Sequence, residues 1–421
     1  MTSVAFGRYF FMSKKTDTKE KIILAAFSFY KNPSMEKVSL SKIAARVGIT
    51  KAAIYKHFSG REDLERAMSD YIYDTTQAEL AALRKKDPDL LSRESMAAIA
   101  EFFVSHIEFL SFFIMSSPCI SVDTLLLEFK RHGVEGLDDV IGADCFIKSM
   151  PKYITCIFVC TTFVPFILGR KGGRVNLCSQ DDRSFSSGLA DLVYRGAGFI
   201  PSNEKRLVEL DELCIKDIGG LAPVDRILKA LSGVIAKNGF TGVTVEAIAQ
   251  ELGMAKSSLY TWFSNKSEMI ITLIRNEMGS MISFVNRNLS FVNEPQEKIY
   301  VLLKTCLEYL IARPETLDVF KWIQLQNIKI FPEGHICEGV ENLIGLSRLI
   351  EKNRKVVCSG MSPFYIPWLF SMPVFVVVQG RIHRFSKETM CGILRILFFL
   401  VCGGVESRNS NFNTDIIGEI K

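Results

Sequence analysis

The sequence is poor in the patterns that indicate a metal centre or a secreted domain stabilised by disulfides. It has eleven cysteines but no CxxC pair, and its five histidines are scattered along the chain. Cys156 and Cys160 lie four residues apart, yet no histidine near them completes a set of zinc ligands. We therefore interpret the cysteines as reduced thiols of an intracellular protein, and we predict neither a metal nor a cofactor.

The motifs of common enzyme classes are also missing. No GxSxG, HExxH, P-loop or GxGxxG pattern occurs in the 421 residues. The segment GRKGGR (169–174) is basic and rich in glycine, but it lacks the serine or threonine that follows the lysine of a phosphate-binding loop. We interpret this segment as a solvated loop, and we predict that the protein is not an enzyme.

Targeting and membrane signals are weak. The opening MTSVAFGRYFF has its positive charges after the apolar run, the reverse of a secretory signal, so we treat residues 1–15 as an N-terminal arm with Met12 as an alternative start. Segments 153–169 and 363–380 carry no charge and approach the length of a membrane span, but each contains proline. Buried helices of an apolar core explain them as well, which favours a cytoplasmic protein without membrane contact.

A repeat is the strongest feature that is present. GITKAAIYKHFSGREDL (48–64) matches GMAKSSLYTWFSNKSEM (253–269), and residues 19–64 align with 224–269 at a shift of 205 without a gap. The chain is 48% hydrophobic and 23% charged, which is enough to bury a core, and its length suits two to four domains. The net charge of +5 is only a mild indication of an anionic partner.

Each copy predicts a helix-turn-helix. An apolar face spaced i, i+4, i+7, i+8 is followed by a second short helix, whose N-cap is Ser39 in one copy and Thr244 in the other. Gly48 and Gly253 come directly after that helix, where a positive φ re-aims the chain into a third helix. We expect Ser59 to form a capping box with Glu62 at the start of a fourth helix, and the box of the second copy to be weaker.

The pattern [ST]-x-x-x-I-A-x-x-x-G-[IVM]-x-K-x-x-[IL]-Y-x-x-F occurs twice and resembles the TetR family of bacterial transcriptional regulators. The resemblance covers roughly residues 16–75 and 222–281. It implies an all-α fold, DNA binding by the helix-turn-helix, and further helices that hold an effector pocket and a dimerisation surface. The family has one such unit per chain and acts as a homodimer, so two units in one chain are a departure.

We divide the chain into two tandem TetR-like halves, each a helix-turn-helix domain followed by a helical bundle. After the arm come unit one (16–75), bundle one (76–199), a linker with one short helix (200–222), unit two (223–281) and bundle two (282–421). Extended at ~3.3 Å per residue, that linker would reach up to ~75 Å, which is enough to let the halves pair side by side.

The candidate DNA-binding residues surround each recognition helix, whose N-terminal residues enter the major groove. Lysines suit phosphate or guanine, the two tyrosines suit phosphate, and the small Ala and Ser side chains allow close approach to the bases. In unit one they are Ser39, Lys42, Thr50, Lys51, Ala52, Ala53, Tyr55, Lys56, His57 and Arg61. In unit two they are Thr244, Lys256, Ser257, Ser258, Tyr260, Thr261, Trp262 and Lys266.

The two units differ in charge. Residues 14–73 hold twelve Lys and Arg against seven Asp and Glu, a net of +5, whereas residues 219–278 hold six against five, a net of +1. Ala255 also stands where a hydroxyl would cap the recognition helix of unit two. Because neutralised phosphates supply most of the non-specific affinity, we expect unit one to bind DNA more strongly.

Bundle one carries a stripe of aromatic residues that we expect on a single helix. Such a stripe is usually plain core, and its alternative role is to line a pocket for an effector. The candidate ligand-binding residues are Phe102, His106, Phe109 and Phe113.

The sequence thus predicts a TetR-like regulator fused head to tail, which binds double-stranded operator DNA, acts as a repressor and responds to a small apolar effector. We expect a monomeric pseudo-dimer or a homodimer, and an operator with two unlike half-sites. The alternative is a ligand-binding or interaction protein of the same fold that has lost DNA binding in one or both halves.

Overall fold

The computed structural model is all-α over the residues that it describes. These are 17–31, 38–88, 92–116, 128, 130–133, 152–171, 181–216, 218–238, 243–317, 340–353 and 362–406, and they contain no strand. The predicted fold class is therefore confirmed. The proposed arm (1–15) and residues 172–174 of the GRKGGR segment lie outside the described residues. Gly169, Arg170 and Lys171 form the end of the helix Lys152–Lys171, so the interpretation as a loop was wrong for these three residues.

The four helices of unit one recur in the same order in unit two, and each unit is followed by the helices of its bundle. The first half contains α1 (Thr18–Phe27), α2 (Leu40–Val47), α3 (Lys51–Ile54), α4 (Arg61–Lys86), α5 (Arg93–Ser105), α6 (Ile107–Ser116), α7 (Lys152–Lys171) and α8 (Asp182–Arg195). The second contains α9 (Glu204–Ile215), a 3₁₀ turn (Ile218–Gly220), α10 (Arg226–Asn238), α11 (Val245–Leu252), α12 (Lys256–Tyr260), α13 (Lys266–Leu289), α14 (Pro295–Ala312), α15 (Val340–Asn353), α16 (Ser362–His383) and α17 (Lys387–Gly403).

Each helix-turn-helix has a small core of its own, made by the apolar positions that recur in the repeat. In unit one Ile22, Ile43 and Phe58 are almost completely buried, and in unit two Leu231 and Ile248 are. Phe58 is the last position of the repeated pattern, and its counterpart Phe263 is half-buried against the core of unit two. Both short cores leave the third helix of the unit on the outer surface.

A third, larger core joins the two halves and contains residues of both bundles. Helices α7 and α16 lie against each other at its centre. The indole N–H of Trp368 donates to the Thr162 hydroxyl at 3.0 Å, and the Ser371 hydroxyl donates to the Thr161 carbonyl at 3.1 Å. The ring of Phe166 packs beside that of Trp368, with the ring centroids 6.1 Å apart. The two uncharged segments therefore pack on each other, since α7 and α16 are those segments.

By length and composition α16 could cross a membrane. Its stretch Phe364–His383 has a mean hydropathy of 1.2, and 67% of it is buried inside the fold. The pair α5 and α6 passes the same test only when both helices are counted as one span, and they are bent by 79°. A helix in the core of a protein is apolar and mostly buried, as α16 is. Packing inside the fold therefore explains its apolar composition.

The halves meet around a local two-fold axis at the ends of α8 and α17. The Ala197 N–H donates to the Val401 carbonyl at 2.6 Å, and the Val405 N–H donates to the Val193 carbonyl at 3.1 Å. Each donor or acceptor has its counterpart 208 positions along the chain (401 − 193, and 405 − 197). This exchange of equivalent hydrogen bonds is the pattern of a two-fold interface between identical subunits. Here it forms within one chain.

Glycine is required where the two chain segments cross on that axis. Gly196 (φ +61°) and Gly404 (φ +66°) both adopt the left-handed region that favours glycine. A Cβ on Gly196 would lie 2.5 Å from the backbone nitrogen of Gly404, and one on Gly404 would lie 2.4 Å from that of Gly196. No side chain fits between the two stretches of backbone.

The linker helix does not act as an extended tether. Helix α9 buries Leu207 and Leu210 in the shared core. On its outer side Arg206 pairs with Glu297 of α14 at 2.7 Å, and Asp211 bonds Arg395 of α17. The reach of ~75 Å is therefore not used, because the segment is held against bundle two by apolar burial and charged pairs.

The expected single aromatic helix of bundle one is two helices. Helix α5 ends at Ser105, His106 adopts a non-helical conformation (φ −118°, ψ 49°), and α6 begins at Ile107 at an angle of 79° to α5. The expectation of one continuous helix was wrong. Helix α6 packs on the core of unit one, and the periodicity of the apolar residues does not reveal this change of direction.

We predict that Gly196→Ala destabilises the whole protein, since it adds both backbone strain and a steric clash on the local axis. The expected loss in the free energy of unfolding is about 2 kcal/mol or more, measured by urea or thermal denaturation. Gly279→Ala is the matched control, because a Cβ on Gly279 of α13 meets nothing within 4 Å. That control should be neutral or stabilise the protein by up to ~1 kcal/mol. Equal effects of the two substitutions would contradict the role of the glycine crossing.

Candidate nucleic-acid interface

The turn of each helix-turn-helix is built as the repeat predicts. The Ser39 hydroxyl accepts the backbone N–H of Lys42 at 3.2 Å, and the Thr244 hydroxyl accepts the equivalent N–H at 3.0 Å. Gly48 (φ +77°) and Gly253 (φ +67°) then close α2 and α11 in the left-handed conformation. These side-chain caps and glycines aim the third helix of each unit outward.

The recognition helices α3 and α12 expose most of the candidate DNA contacts. Ile54 and Leu259 anchor them from below and are buried. Ala53, His57, Arg61, Ser258 and Lys266 are half-buried, whereas Ser39, Lys42, Thr50, Lys51, Ala52, Tyr55, Lys56, Thr244, Lys256, Ser257, Tyr260, Thr261 and Trp262 are exposed. The exposed aromatic rings are the clearest sign of a binding surface, since large apolar side chains are usually covered.

Capping differs between the two recognition helices. The Thr50 hydroxyl accepts the Ala53 N–H at 3.2 Å, whereas Ala255 has no side chain that can do so. The hydroxyl of Thr261, one of the candidate DNA-binding residues, donates to the Ser258 carbonyl at 2.6 Å. The N-terminus of α12 is thus capped less well than that of α3, as the sequence predicts.

Two basic candidates are engaged within their own units. Arg61 donates to the Val38 carbonyl at 2.8 Å and to Glu65 at 2.7 Å. Lys266, at the same position of unit two, bonds the Val243 carbonyl, and burial lowers the pKa of its ammonium group. Both side chains therefore tie the start of the fourth helix to the loop before the second. Their contact with DNA phosphate stays a prediction.

The expected capping boxes lie one residue further along. Ser59 bonds Asp63 and not Glu62, with its backbone N–H 2.8 Å from the carboxylate. In unit two Ser264 bonds Glu268 in the same way at 2.8 Å, and Asn265 adds a side-chain cap at 2.9 Å. The expectation of a weaker box in unit two was wrong, because the fourth helix begins one residue later than the spacing suggested.

The lysines of the recognition helices differ most. Lys256 forms an ion pair with Glu246 of α11, and this hydrogen bond lowers the pKa of Glu246 and raises that of Lys256. Lys51 and Lys56 are exposed and have no ion pair with any residue that the structure describes. Glu246 was not among the candidates from the sequence, although its contrast with the aligned residue Ser41 was a signal.

The aromatic candidates of bundle one lie where the bundle meets unit one. Phe109 is 2% exposed and packs on Phe27 of α1, with ring centroids 5.0 Å apart. His106 stacks between Phe102 and Phe109, and Phe113 packs against the core of unit one. These contacts join unit and bundle. Effector binding by the four residues stays a prediction.

In the second half, unit two is joined to bundle two by a buried network of charged and polar side chains. Glu277 of α13 is buried and accepts bonds from Arg313 at 2.9 Å, Tyr309 at 2.8 Å and Thr316 at 2.6 Å. Arg313 also bonds the Ala222 carbonyl, directly before unit two. Burial together with the charge of Glu277 raises the pKa of Tyr309. The network fixes the long helix of unit two to bundle two, whereas Ile72 occupies the equivalent place in the first half.

One buried polar residue in bundle two went unnoticed in the sequence. Gln379 of α16 is completely buried, and neither its amide nitrogen nor its amide oxygen has a hydrogen-bond partner among the residues that the structure describes. When Gly380-Arg381 is aligned with Gly169-Arg170, Leu168 takes its place in the first half. Each buried group without a partner costs roughly 1–3 kcal/mol. Packing alone therefore does not explain why a glutamine is buried at this position.

A family profile matches both units. The profile described as "Bacterial regulatory proteins, tetR family" matches residues 22–68 and 227–273. The chain is 27% identical over 122 residues to the fatty acid metabolism regulator protein of Bacillus subtilis, and this match covers 28% of the chain and 62% of the relative. It is 25% identical over 85 residues to the nucleoid occlusion factor SlmA of Photobacterium profundum, covering 20% of the chain and 43% of that relative.

A solved structure, that of the fatty acid degradation regulator FadR from Bacillus halodurans, is also similar. Its sequence identity is 18% and its TM-score is 0.33, and the match covers 43% of this chain and 95% of that one. The matches with the curated relatives thus span between about two fifths and three fifths of those relatives' own length.

We predict that Gln379→Leu raises the free energy of unfolding by about 1–3 kcal/mol, because it removes a buried amide without a partner. Urea denaturation of the purified protein measures this change. Gln250→Leu is the control, since Gln250 is exposed on α11 and its replacement should change stability by no more than about 0.5 kcal/mol. Destabilisation by Gln379→Leu would show that the amide has a partner in solution.

Proposed function

We propose that this chain, which carries two units that match the TetR family of bacterial regulators, is a sequence-specific transcriptional repressor that binds one operator with both units. The observation that carries the proposal is the shared core, which holds two helix-turn-helix units on one chain around a local two-fold axis. Two recognition helices related in this way suit two half-sites about 34 Å apart, or a multiple of that distance. In this proposal the protein acts by binding and catalyses no reaction.

The proposal includes a single chain as the functional form. The hydrogen bonds that Ala197 and Val405 donate across the axis are equivalent, so the surface that a homodimer would use is already occupied within the chain. A homodimer of the fused chain is the alternative. We also place the protein in the cytoplasm, where an operator is accessible.

The two recognition helices favour unlike half-sites. Their sequences are TKAAIYKH (50–57) and AKSSLYTW (255–262), and only the lysine and the tyrosine are shared. Phosphate contacts preserve the docking geometry while base-facing side chains set the preference. Fusion allows each helix to change without the other, which no homodimer permits.

We further propose a small, largely apolar effector that binds in bundle two. The completely buried Gln379 would supply one polar contact in an otherwise apolar surrounding. Bundle two is also the half whose Glu277–Arg313 network bonds the segment just before unit two. Acyl compounds are the first effectors to test, because one relative is named a fatty acid metabolism regulator.

A second candidate function is a binding protein that has kept the fold and lost DNA binding in unit two or in both units. The ion pair of Lys256 with Glu246 favours this for unit two. The exposed Lys51, Lys56 and Tyr55 argue against it for unit one.

Selection from random double-stranded DNA tests the proposed function. We expect one consensus with two unlike half-sites, bound by one chain, because both units are rigidly joined and differ in sequence. The stoichiometry follows from sedimentation of the complex. A clean palindrome bound by two chains through unit one would refute the pseudo-dimer, and the absence of any selected motif would support the binding-protein alternative.

We predict that the double substitution Lys51→Ala, Lys56→Ala weakens DNA binding more than Lys256→Ala does. Two lysines without ion pairs neutralise more phosphate than one lysine that already has a carboxylate partner. The plot of log K against log salt concentration has a negative slope. For the double substitution the magnitude of that slope should decrease by up to ~1.8, since each phosphate contact contributes about 0.9. Equilibrium binding at several salt concentrations measures both quantities. Equal losses per lysine in the two units would contradict the prediction.

A further inference from the structure

The second residue of α11 is an acidic side chain that touches the recognition helix of unit two. Glu246 and Lys256 form an ion pair that joins the N-terminal turns of α11 and α12. Helix N-termini attract phosphate through their unpaired N–H groups, so the first turn of the eight-residue helix α11 lies where a DNA backbone is favoured. A carboxylate at that place opposes the attraction.

The aligned place in unit one carries no charge. Ser41 stands 205 positions before Glu246, is exposed, and lies on α2 beside its N-terminus. Lys51 consequently has no ion pair with any residue that the structure describes. At these two aligned positions the charge is therefore +1 in unit one, from Ser41 and Lys51, and zero in unit two, from Glu246 and Lys256.

The ion pair is on the surface, where a partner can reach it. The side chain of Lys256 is 46% exposed and that of Glu246 is 60% exposed. Exposed pairs are weak, so DNA can draw Lys256 away from its partner. The carboxylate stays beside the phosphates after the lysine has moved, and its repulsion then offsets the contact that the lysine makes.

The other lysines of unit two do not compensate. Lys237 pairs with Glu251 at 2.6 Å, Lys229 lies 3.8 Å from Glu315, and Lys266 bonds a backbone carbonyl. These three and Lys256 are all the lysines of residues 223–281. All four lysines of unit two thus have partners within the protein.

We propose that Glu246 is a specificity-determining residue, which suppresses phosphate binding by unit two so that this unit contributes sequence preference and little non-specific affinity. The inference rests on the proposed function. Unit one then supplies most of the general affinity for DNA. Unit two adds affinity only where uncharged groups such as Ser257, Ser258 and Trp262 find a matching half-site. A tandem chain can divide the two tasks in this way, whereas a homodimer has two equal units.

The test compares Glu246→Gln with Glu251→Gln in the full-length protein. Both substitutions remove one negative charge from α11 and break one ion pair with a lysine of unit two, but only the first touches the recognition helix. The reciprocal variant Ser41→Glu places the carboxylate in unit one. Binding is measured on the selected operator and on a DNA of random sequence, at several salt concentrations, after denaturation curves have established that each variant is folded.

For Glu246→Gln we expect binding to random DNA to tighten by about threefold or more, with a salt slope steeper by about 0.9, because one more phosphate is neutralised. Discrimination between operator and random DNA should fall. Glu251→Gln should resemble the wild-type protein, and Ser41→Glu should weaken binding with a shallower slope.

Three results would overturn the inference. Equal effects of Glu246→Gln and Glu251→Gln would mean that net charge alone matters. Weaker operator binding by Glu246→Gln, with a changed base preference in one half-site, would mean that the carboxylate reads a base directly. If the wild-type protein binds no DNA at all, the proposed function fails and this inference fails with it, whereas the first two results leave the proposed function intact.

Discussion

The crossing of Gly196 and Gly404 on the local two-fold axis is the contact on which the arrangement of the whole chain depends. Backbone meets backbone there, so the ends of α8 and α17 exchange hydrogen bonds and α7 can pack along α16. A side chain on either glycine would separate the two halves. The positions of both DNA-binding units follow from this contact, because each unit is carried by its own half.

The halves differ in how each unit is joined to its bundle. In the first half the junction is aromatic, with Phe27 on Phe109, and in the second it is a buried carboxylate with Arg313 and Tyr309 around it. Apolar rings can slide against one another at little cost, whereas a buried ion pair loses several kcal/mol when its partner is withdrawn. The junction of unit two therefore depends on directed bonds to a buried carboxylate, whereas that of unit one depends mainly on the packing of rings.

The two units also differ in charge. The sequence counts already set unit one at +5 and unit two at +1, and the ion pairs enlarge the difference, since Lys237 and Lys256 are paired within unit two. The two units are thus held on one core but differ in charge, since unit one is basic and unit two is nearly neutral. Gln379 adds a further inequality, because the first half has leucine at that position.

The two helix-turn-helix units could be predicted from the sequence alone, because their signals are local. Ser39, Gly48 and the apolar spacing act within a few residues, so pattern is enough to predict the caps, the turn and the buried face. The partners of Arg61, Glu246 and Glu277, the break at His106 and the docking of α9 became apparent only in the folded chain. Those features depend on which side chains arrive from other helices, and spacing along one helix carries no information about them.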